Sequence, residues 1–547
     1  MASTATLAIE HVEDSSPPVF KLTRLPDGKS AAPVPISSPY DFPVEGQPNS
    51  HLMRELRWYL EDFLDYPFPP ETTHAEHVLD ALKAWGAQAF NALFDRRDAG
   101  DWLAGSDILQ VRSDDPHILS WPWEALFDPQ ANYLAHERRI ERRLNKLRDP
   151  QPLAALPTDR VNILLVVARP YKGDVRYRSI ARPLVELIQS KGLPAHVDLL
   201  RPPTFDQLRD HLSARPGYYH VLHFDGHGAY GDGAGEYSPH QFQGRQGCLV
   251  FEDENGEPDP KSARDLSALL HDHAVPAVVL NACQSAMLGA NAGDDPFASV
   301  ATALLQSGMR SVVAMAYSLY VSGAQVFLPA FYRRLFEAGS VAEAVRAGRR
   351  QMLAHKGRVC VRGRYPLEDW LLPVLYQQDP LDFGFATHAK VEARESRLPA
   401  EVREHRDPYG FVGRDGPILE IERALHRKAP AILVQGLGGV GKTTLARGFL
   451  RWLDDTGGLD SALWFDFRDI RTAEYVINRT GESFYGENFG VAPNKLELLA
   501  RALGERRVLM VWDNFESAAS NLTGEDRAEL GRFLDAIRGG RGKVIIT

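Results

Sequence analysis

From residue 160 onward, short unbroken apolar runs alternate with longer amphipathic stretches, a rhythm that predicts a parallel sheet covered by helices. The runs are VNILLVVA at 161–168, YHVLHF at 219–224, PAVVLNA at 276–282 and SVVAMAY at 311–317. Helical spacing between them marks 180–189 and 205–212. One hairpin interrupts the series, because GCLVFEDENGEP holds the pair Asn255-Gly256, which tolerates positive φ, just after an apolar strand. This layout predicts one α/β domain over 156–385. A charge-rich stretch at 386–408, poor in apolar residues, reads as a linker. Beyond it AILVQ at 431–435, LWFDF at 463–467, RVLMVW at 507–512 and KVIIT at 543–547 read as buried strands of a second α/β domain over 409–547. No internal repeat of 20 to 50 residues is present.

Upstream the pattern weakens. Proline and serine crowd 15–49, so residues 1–50 are expected to form an irregular leader. Helical periodicity covers 51–94 within an accessory region, 51–155. LSWPWEALF at 119–127 gathers large apolar side chains around a proline, and the basic segment HERRIERRLNKLR follows. Its arginines alternate with Glu137 and Glu141, which predicts a solvated helix or strand face rather than a nucleic-acid patch. The one uncharged run of membrane-spanning length, 311–331, contains Gly323, Gln325 and Pro329 and changes period midway. It reads as strand, turn and helix.

Composition narrows the classes. The chain has 547 residues, 44% hydrophobic and 24% charged, which suits several soluble domains. Sixty-two basic against 72 acidic residues leave a net charge of −10, without the positive field that sequence-independent nucleic-acid binding needs. The three cysteines, Cys248, Cys283 and Cys360, cannot make a paired disulfide framework and point to a reducing compartment. The start carries acids early and lacks a basic region before an apolar stretch, so it is not a secretory signal and a cytoplasmic location is expected.

GLGGVGKT at 436–443 fits GxxxxGK[ST] between an apolar strand and a helical stretch. Gly436, Gly438, Gly439 and Gly441 let backbone N–H groups curl around phosphates. Lys442 offsets the outer phosphate charge, and Thr443 offers a hydroxyl to Mg²⁺, with Thr444 beside it. RVLMVWDN ends in Asp513, from which a carboxylate can hold the metal through water. Preceded by FVGR at 411–414, GLGGVGKTTLA resembles the STAND class of signalling ATPases, nearest its NB-ARC-like branch. The resemblance implies ATP or ADP with Mg²⁺ as cofactors, Val412, Gly413 and Arg414 near the adenine, and a nucleotide that switches the protein between closed and assembled states by self-association. Asn514 stands where many NB-ARC domains carry a second acid, and Glu516 is a weaker candidate base, so fast hydrolysis is not expected. The sensor arginine and the helical and winged-helix regions of that class are absent after KVIIT, so a truncated NTPase domain is expected.

YHVLHF runs into DGHG, placing His227 between two glycines past a strand end, and PAVVLNA runs into CQSA, placing Cys283 at the matching spot 56 residues later. Residues outside the carboxyl ends of neighbouring parallel strands meet in one crevice, so a dyad can form there. A cysteine of pKa near 8.5 becomes a nucleophile when an imidazolium or a helix N-terminus lowers that value, and QSAMLGA after Cys283 can open such a helix. Cys283 would attack a peptide carbonyl, and His227 would hand its proton to the leaving amine. Backbone N–H groups of Gly228 and Cys283 are the candidate oxyanion donors. His223, Asp225 and Asn281 flank the pair and are candidates to orient it, whereas Cys248 and Cys360 have no such surroundings.

HFDGHG and LNACQSA, with SWPWEALFDP upstream and EDWLLPVLYQ at 368–377, resemble the CHAT family of caspase-like proteases. The resemblances together imply an α/β chain, a caspase-like parallel-sheet domain followed by a truncated P-loop NTPase α/β domain. They imply a cysteine endopeptidase in immunity or cell-death signalling, such as antiphage defence. Its partner would be a protein substrate such as a pore-former encoded by a neighbouring gene. Neither nucleic acid nor membrane is an expected partner. Relatives that cut after Arg or Lys often have an aspartate two residues before the nucleophile, where this chain has Asn281; Asp294 and Asp295 are an alternative source of charge. The competing reading is a non-proteolytic CHAT scaffold in a nucleotide-dependent signalling or transcription-regulating ATPase.

Overall fold

A computed structural model describes residues 5–95, 97–146, 156–172, 174, 176–178, 181–191, 193–231, 246–283, 296–383, 396–405, 411 and 413–547. The chain divides into two units. The first takes Met1–Val175, Ser179–His196 and Pro203–Val391, and the second takes Arg176–Arg178, Val197–Pro202 and Glu392–Thr547.

The first unit carries β1 (Thr6–Val12), β2 (Val19–Leu25), β3 (Val34–Pro35), β4 (Ile108–Arg112), β5 (Arg139–Arg143), β6 (Val161–Val167), the first two residues of β7 (Ala195–Leu199), β8 (Val221–Gly231), β9 (Gln246–Glu252), β10 (Pro258–Ser262), β11 (Ala277–Cys283), β12 (Ser311–Met315), β13 (Gly357–Cys360), β14 (Gly363–Pro366) and β15 (Pro373–Gln377). Its helices are α1 (Leu52–Glu61), α2 (Glu71–Phe94), α3 (Arg97–Ala104), α4 (Pro116–Leu119), α5 (Ala181–Lys191), α6 (Phe205–Ser213), α7 (Ala263–Asp272), α8 (Pro296–Gln306), α9 (Val321–Ala338) and α10 (Val341–Ala354). Thirteen strands form one mixed sheet in the order β10-β9-β8-β11-β12-β15-β5-β4-β1-β2-β3, with β6 on β8 and β7 on β6.

The parallel core, β6-β8-β11-β12, is built from the continuous apolar runs; every residue of β6 is buried, as expected for a strand covered on both faces. The parallel sheet expected from those runs is part of a mixed one, because β9 pairs with β8 and β15 with β12 in antiparallel sense. The uncharged run at 311–331 separates into β12, a turn and the start of α9. Among the described residues no helix is long and apolar enough to cross a membrane.

Two expectations fail on tertiary grounds. The leader at 1–50 is not irregular throughout, since β1 and β2 pair antiparallel and β1 lies parallel on β4. The prolines bracket β2 rather than interrupt it, and Phe20 is buried against Trp121 and Trp123, at centroid distances of 5.6 and 5.2 Å. The basic segment is not a solvated face either: Glu141 and Arg142 of β5 are 3% and 1% exposed. Arg142 donates to both carboxylate oxygens of Glu124 at 2.7 Å, and Arg349 of α10 donates to the same carboxylate at 3.2 Å. Buried charge is tolerated where it is paired and hydrogen-bonded, and here the partner comes from the tryptophan-rich segment 18 residues upstream. Trp85 of α2 stands edge-on to that segment. Gly86 makes the approach possible, as a Cβ there would lie 1.9 Å from the Ala125 carbonyl oxygen.

The second unit holds β16 (Ala431–Leu433), β17 (Ser461–Asp466), β18 (Val508–Asp513) and β19 (Lys543–Ile546), all parallel in the order β16-β19-β18-β17. Its helices are α11 (Ala400–Arg403), α12 (Asp415–Leu425), α13 (Lys442–Asp455), α14 (Ala473–Tyr485), α15 (Lys495–Glu505), α16 (Ala518–Asn521) and α17 (Gly524–Ala536). Phe467, Trp512 and Phe533 anchor its core. Of the expected linker at 386–408, only 396–405 lies among the described residues, and it includes α11.

Candidate active site

β8 and β11 run parallel in register from Val221↔Ala277 to His227↔Cys283, so the backbones of His227 and Cys283 form the last pair at the carboxyl ends of adjacent strands. Strand spacing in a sheet is about 4.8 Å. Past this point β8 continues alone on that side and pairs with β9, with Gly228 opposite Leu249. Gly228 thus sits one residue beyond the last β8–β11 pair. Residues 284–295, with the expected helix after Cys283 and Asp294 and Asp295, lie outside the described residues, as does Val412.

His227 is buried, its side chain 5% exposed. Its Nε2 lies 2.5 Å from Oδ1 of Asp174, and since a carboxylate only accepts, Nε2–H is the donor. Asp174 is fixed in turn by the Tyr171 backbone N–H, which donates to its Oδ2 at 3.0 Å. The Tyr171 ring meets the imidazole edge to face, with centroids 4.9 Å apart and planes at 85°. Nδ1 of His227 has no hydrogen-bond partner among the described residues. Sequence reasoning missed Asp174 and Tyr171, which stand in the unmarked loop after β6.

The residues expected to orient the pair are otherwise engaged. Asn281 donates from Nδ2 to Asp225 Oδ1 at 3.2 Å, two register pairs before the dyad, and Arg169 donates to Asp225 Oδ2 at 2.6 Å. Burial pushes the Asp225 carboxyl up, against the opposing pull of Arg169 and Asn281. His223 Nδ1 lies 2.7 Å from the Tyr332 hydroxyl of α9, and burial drives this imidazole down to about 3, so it stays neutral. Cys248 is buried on β9 and its thiol is pushed up to about 11 by burial and then by Asp265, which makes it a poor nucleophile.

A second constellation lies in the other unit. Between β16 and α13 the chain turns through Gly439 and Gly441 at φ +79° and +90°, a region that favours glycine. Lys442 opens α13 and donates from Nζ to the Gly436 carbonyl at 3.1 Å. Thr443 and Thr547 each donate a hydroxyl to Oδ1 of Asp513, at 2.8 and 2.5 Å, at the end of β18. Arg414 donates to the Val440 carbonyl at 2.7 Å, and a cavity of about 460 Å³ opens between Arg414, Ile421, Leu433 and Lys442. Gly413, at φ +73°, precedes Arg414, and Gly438 has open space around it. Thr444 follows Thr443 in the first turn of α13. Asn514 donates to Asp466 Oδ1 at 3.1 Å and Glu516 is exposed. The arrangement offers a helix N-terminus, a lysine and a hydroxyl–carboxylate pair at one loop, a combination suited to a phosphorylated ligand.

A large mixed α/β sheet with a histidine and a cysteine backbone paired at one strand end defines the class to which this site belongs. The CHAT domain family matches residues 85–409, more than half of the chain, and the chain belongs to that family. No curated protein matches the chain. Among solved structures, one of the Saccharomyces cerevisiae separase–securin complex at 3.0 Å matches with 15% identity and a TM-score of 0.28, covering 50% of this chain and 15% of that one. Another, at 2.6 Å, matches with 13% identity and a TM-score of 0.28, covering 58% of this chain and 20% of that one. This chain therefore spans a fifth or less of the length of those chains.

Proposed function

We propose that this chain is a caspase-like cysteine endopeptidase governed by a nucleotide switch of the STAND type. The observation that carries the proteolytic reading is the strand register that ends on His227 and Cys283, in a chain of the CHAT domain family. In the proposed reaction His227 takes the Cys283 thiol proton, and the sulfur bonds to a peptide carbonyl carbon. The imidazolium then gives its proton to the leaving amine as the C–N bond breaks, and water hydrolyses the thioester. The N–H groups of Gly228 and Cys283 would stabilise the oxyanion, each contributing about 3 kcal/mol in a site of this type.

The second unit fits ATP or ADP with Mg²⁺. Gly436, Gly438, Gly439 and Gly441 with Lys442 would hold the phosphates, Thr443 and Asp513 the metal, and Gly413 and Arg414 would border the base in the 460 Å³ cavity. The nucleotide supplies a γ-phosphate whose presence distinguishes two states. Asn514 in place of a second acid favours slow turnover. In the cell the reading is a cytoplasmic protease of immunity or cell-death signalling that self-associates on activation and cuts a partner protein, such as a pore-former.

The test is a proteome-derived peptide library incubated with the chain, with and without ATP·Mg²⁺. New termini are expected with the wild type and none with Cys283→Ala or His227→Ala. A library left whole, or cut equally by Cys283→Ala, overturns the protease reading. Fluorescent ATP binding that survives Lys442→Ala unchanged overturns the nucleotide reading.

A further inference from the structure

We propose that Asp174 is the positioning residue of the histidine, making the site a Cys283–His227–Asp174 triad in which Tyr171 braces both the acid and the ring; the proposal rests on the proteolytic reading above. Four observations on three residues converge. The Asp174 side chain is 9% exposed and lies 2.5 Å from Nε2 of an imidazole that is 5% exposed. The Tyr171 N–H fixes the second carboxylate oxygen at 3.0 Å. The Tyr171 ring closes one side of the imidazole. Nδ1 is left without a partner among the described residues, on the strand whose register neighbour is Cys283.

The contact decides the tautomer. With Nε2–H donated to a carboxylate, the neutral ring carries its lone pair on Nδ1, so that nitrogen must take the thiol proton. After transfer, the positive ring would keep its Nε2–H on the Asp174 carboxylate and carry the thiol proton on Nδ1. Among the described residues no other carboxylate hydrogen-bonds the imidazole. Asp225, two residues along β8, gives its oxygens to Arg169 and Asn281, and it makes no hydrogen bond to His227. Arg169 is committed to Asp225 and to the carbonyls of Ala168 and Asp225. An acid that only closed its own loop would need the Tyr171 N–H and nothing more; the short bond to His227 is what that role leaves unexplained.

The test measures alkylation of Cys283 by iodoacetamide against pH, in a Cys248→Ser, Cys360→Ser background, with melting followed in parallel. The parent is expected to react at about pH 6 through a thiolate that His227→Ala abolishes, and at about pH 10 as any free thiolate does. Asp174→Asn keeps the shape and an acceptor oxygen but removes the charge. It should lower the rate near pH 6 by roughly ten- to a hundredfold, the range of a hydrogen bond to a charged group, and leave the rate near pH 10 within about twofold. Asp174→Ala should lose at least as much near pH 6. If the parent shows only ordinary thiol behaviour, the proteolytic reading fails and the triad with it. If the acidic reactivity is present and Asp174→Asn leaves it in place, the triad alone is overturned. Equal loss at both pH values with a lowered melting temperature marks Asp174 as merely structural and overturns the proposal as well.

Discussion

Glu124→Ala should loosen the middle of the thirteen-stranded sheet. The Glu124 carboxylate, 1% exposed, accepts two hydrogen bonds from Arg142 of β5 and one from Arg349 of α10. Arg349 also donates to the Pro373 carbonyl at 2.6 Å, the first residue of β15, and β15 is the strand that joins β5 to β12. Removing the acid takes from Arg142 and Arg349, residues only 1% and 2% exposed, the carboxylate that pairs with both. Arg142 keeps the Leu119 and Trp121 carbonyls and Arg349 keeps Pro373, so the neutral hydrogen bonds survive and the loss is chiefly that of the pairing. Breaking a buried pair from one side costs about 3–5 kcal/mol. At about 1.4 kcal/mol per tenfold, that is roughly two to three and a half orders of magnitude in the opening equilibrium. Hydrogen exchange by mass spectrometry on peptides covering β5 and β15 reads this directly, and it avoids fitting one transition to a two-unit chain. Acceleration below about tenfold in both peptides would refute the reasoning, since it would mean that water or a neighbouring group compensates the stranded arginines.

The same carboxylate gives a pH dependence. Burial would raise Glu124, but Arg142 and then Arg349 outweigh it and hold the carboxyl below the usual range. A depressed folded value means a stabilisation present above the unfolded pKa of about 4.3 and lost as pH falls through the folded one, so β5 protection should fall with acid more steeply in the wild type than in Glu124→Gln. Gly86→Ala should destabilise the first unit by about 1–3 kcal/mol despite alanine's better helix propensity, because its Cβ meets the Ala125 backbone; an unchanged or raised melting temperature contradicts this. Cys248 should resist iodoacetamide at about pH 8 in the folded chain and react once guanidinium unfolds it, as its thiol is pushed up to about 11; rapid labelling under native conditions would show it to be accessible and ionised.

What could be read from the chain depended on how local each signal was. β6, β8, β11 and β12 are legible because strands buried on both faces need unbroken apolar runs, and the hairpin between β9 and β10 is marked by Asn255-Gly256. β2 hides because its buried positions, Phe20, Leu22 and Thr23, include a polar hydroxyl and are mixed with lysine and arginine between flanking prolines, and only the tryptophans about a hundred residues away show why the strand is held. β5 misleads for the same reason: Arg142 is compatible with the interior only because Glu124 and the Leu119 and Trp121 carbonyls receive it, and no local pattern announces those partners. The loop at 436–443 was conspicuous because its chemistry constrains consecutive residues. Asp174 was invisible, since an acid 53 residues before its histidine, in a loop without a motif, becomes meaningful only when the chain folds back. The candidate oxyanion donor Gly228 and the backbone of Cys283 owe their placement to register, which follows from the core runs beneath them.

Covalent capture tests the central claim most directly. The chain is treated with a small panel of peptidyl acyloxymethyl ketones, which trap an ionised sulfur beside an acid catalyst, and the adduct is mapped by mass spectrometry. A single thioether at Cys283, lost in His227→Ala, is the expected result. An adduct at Cys360 or Cys248, or one at Cys283 that forms equally well without the imidazole, would contradict a paired nucleophile at this strand end.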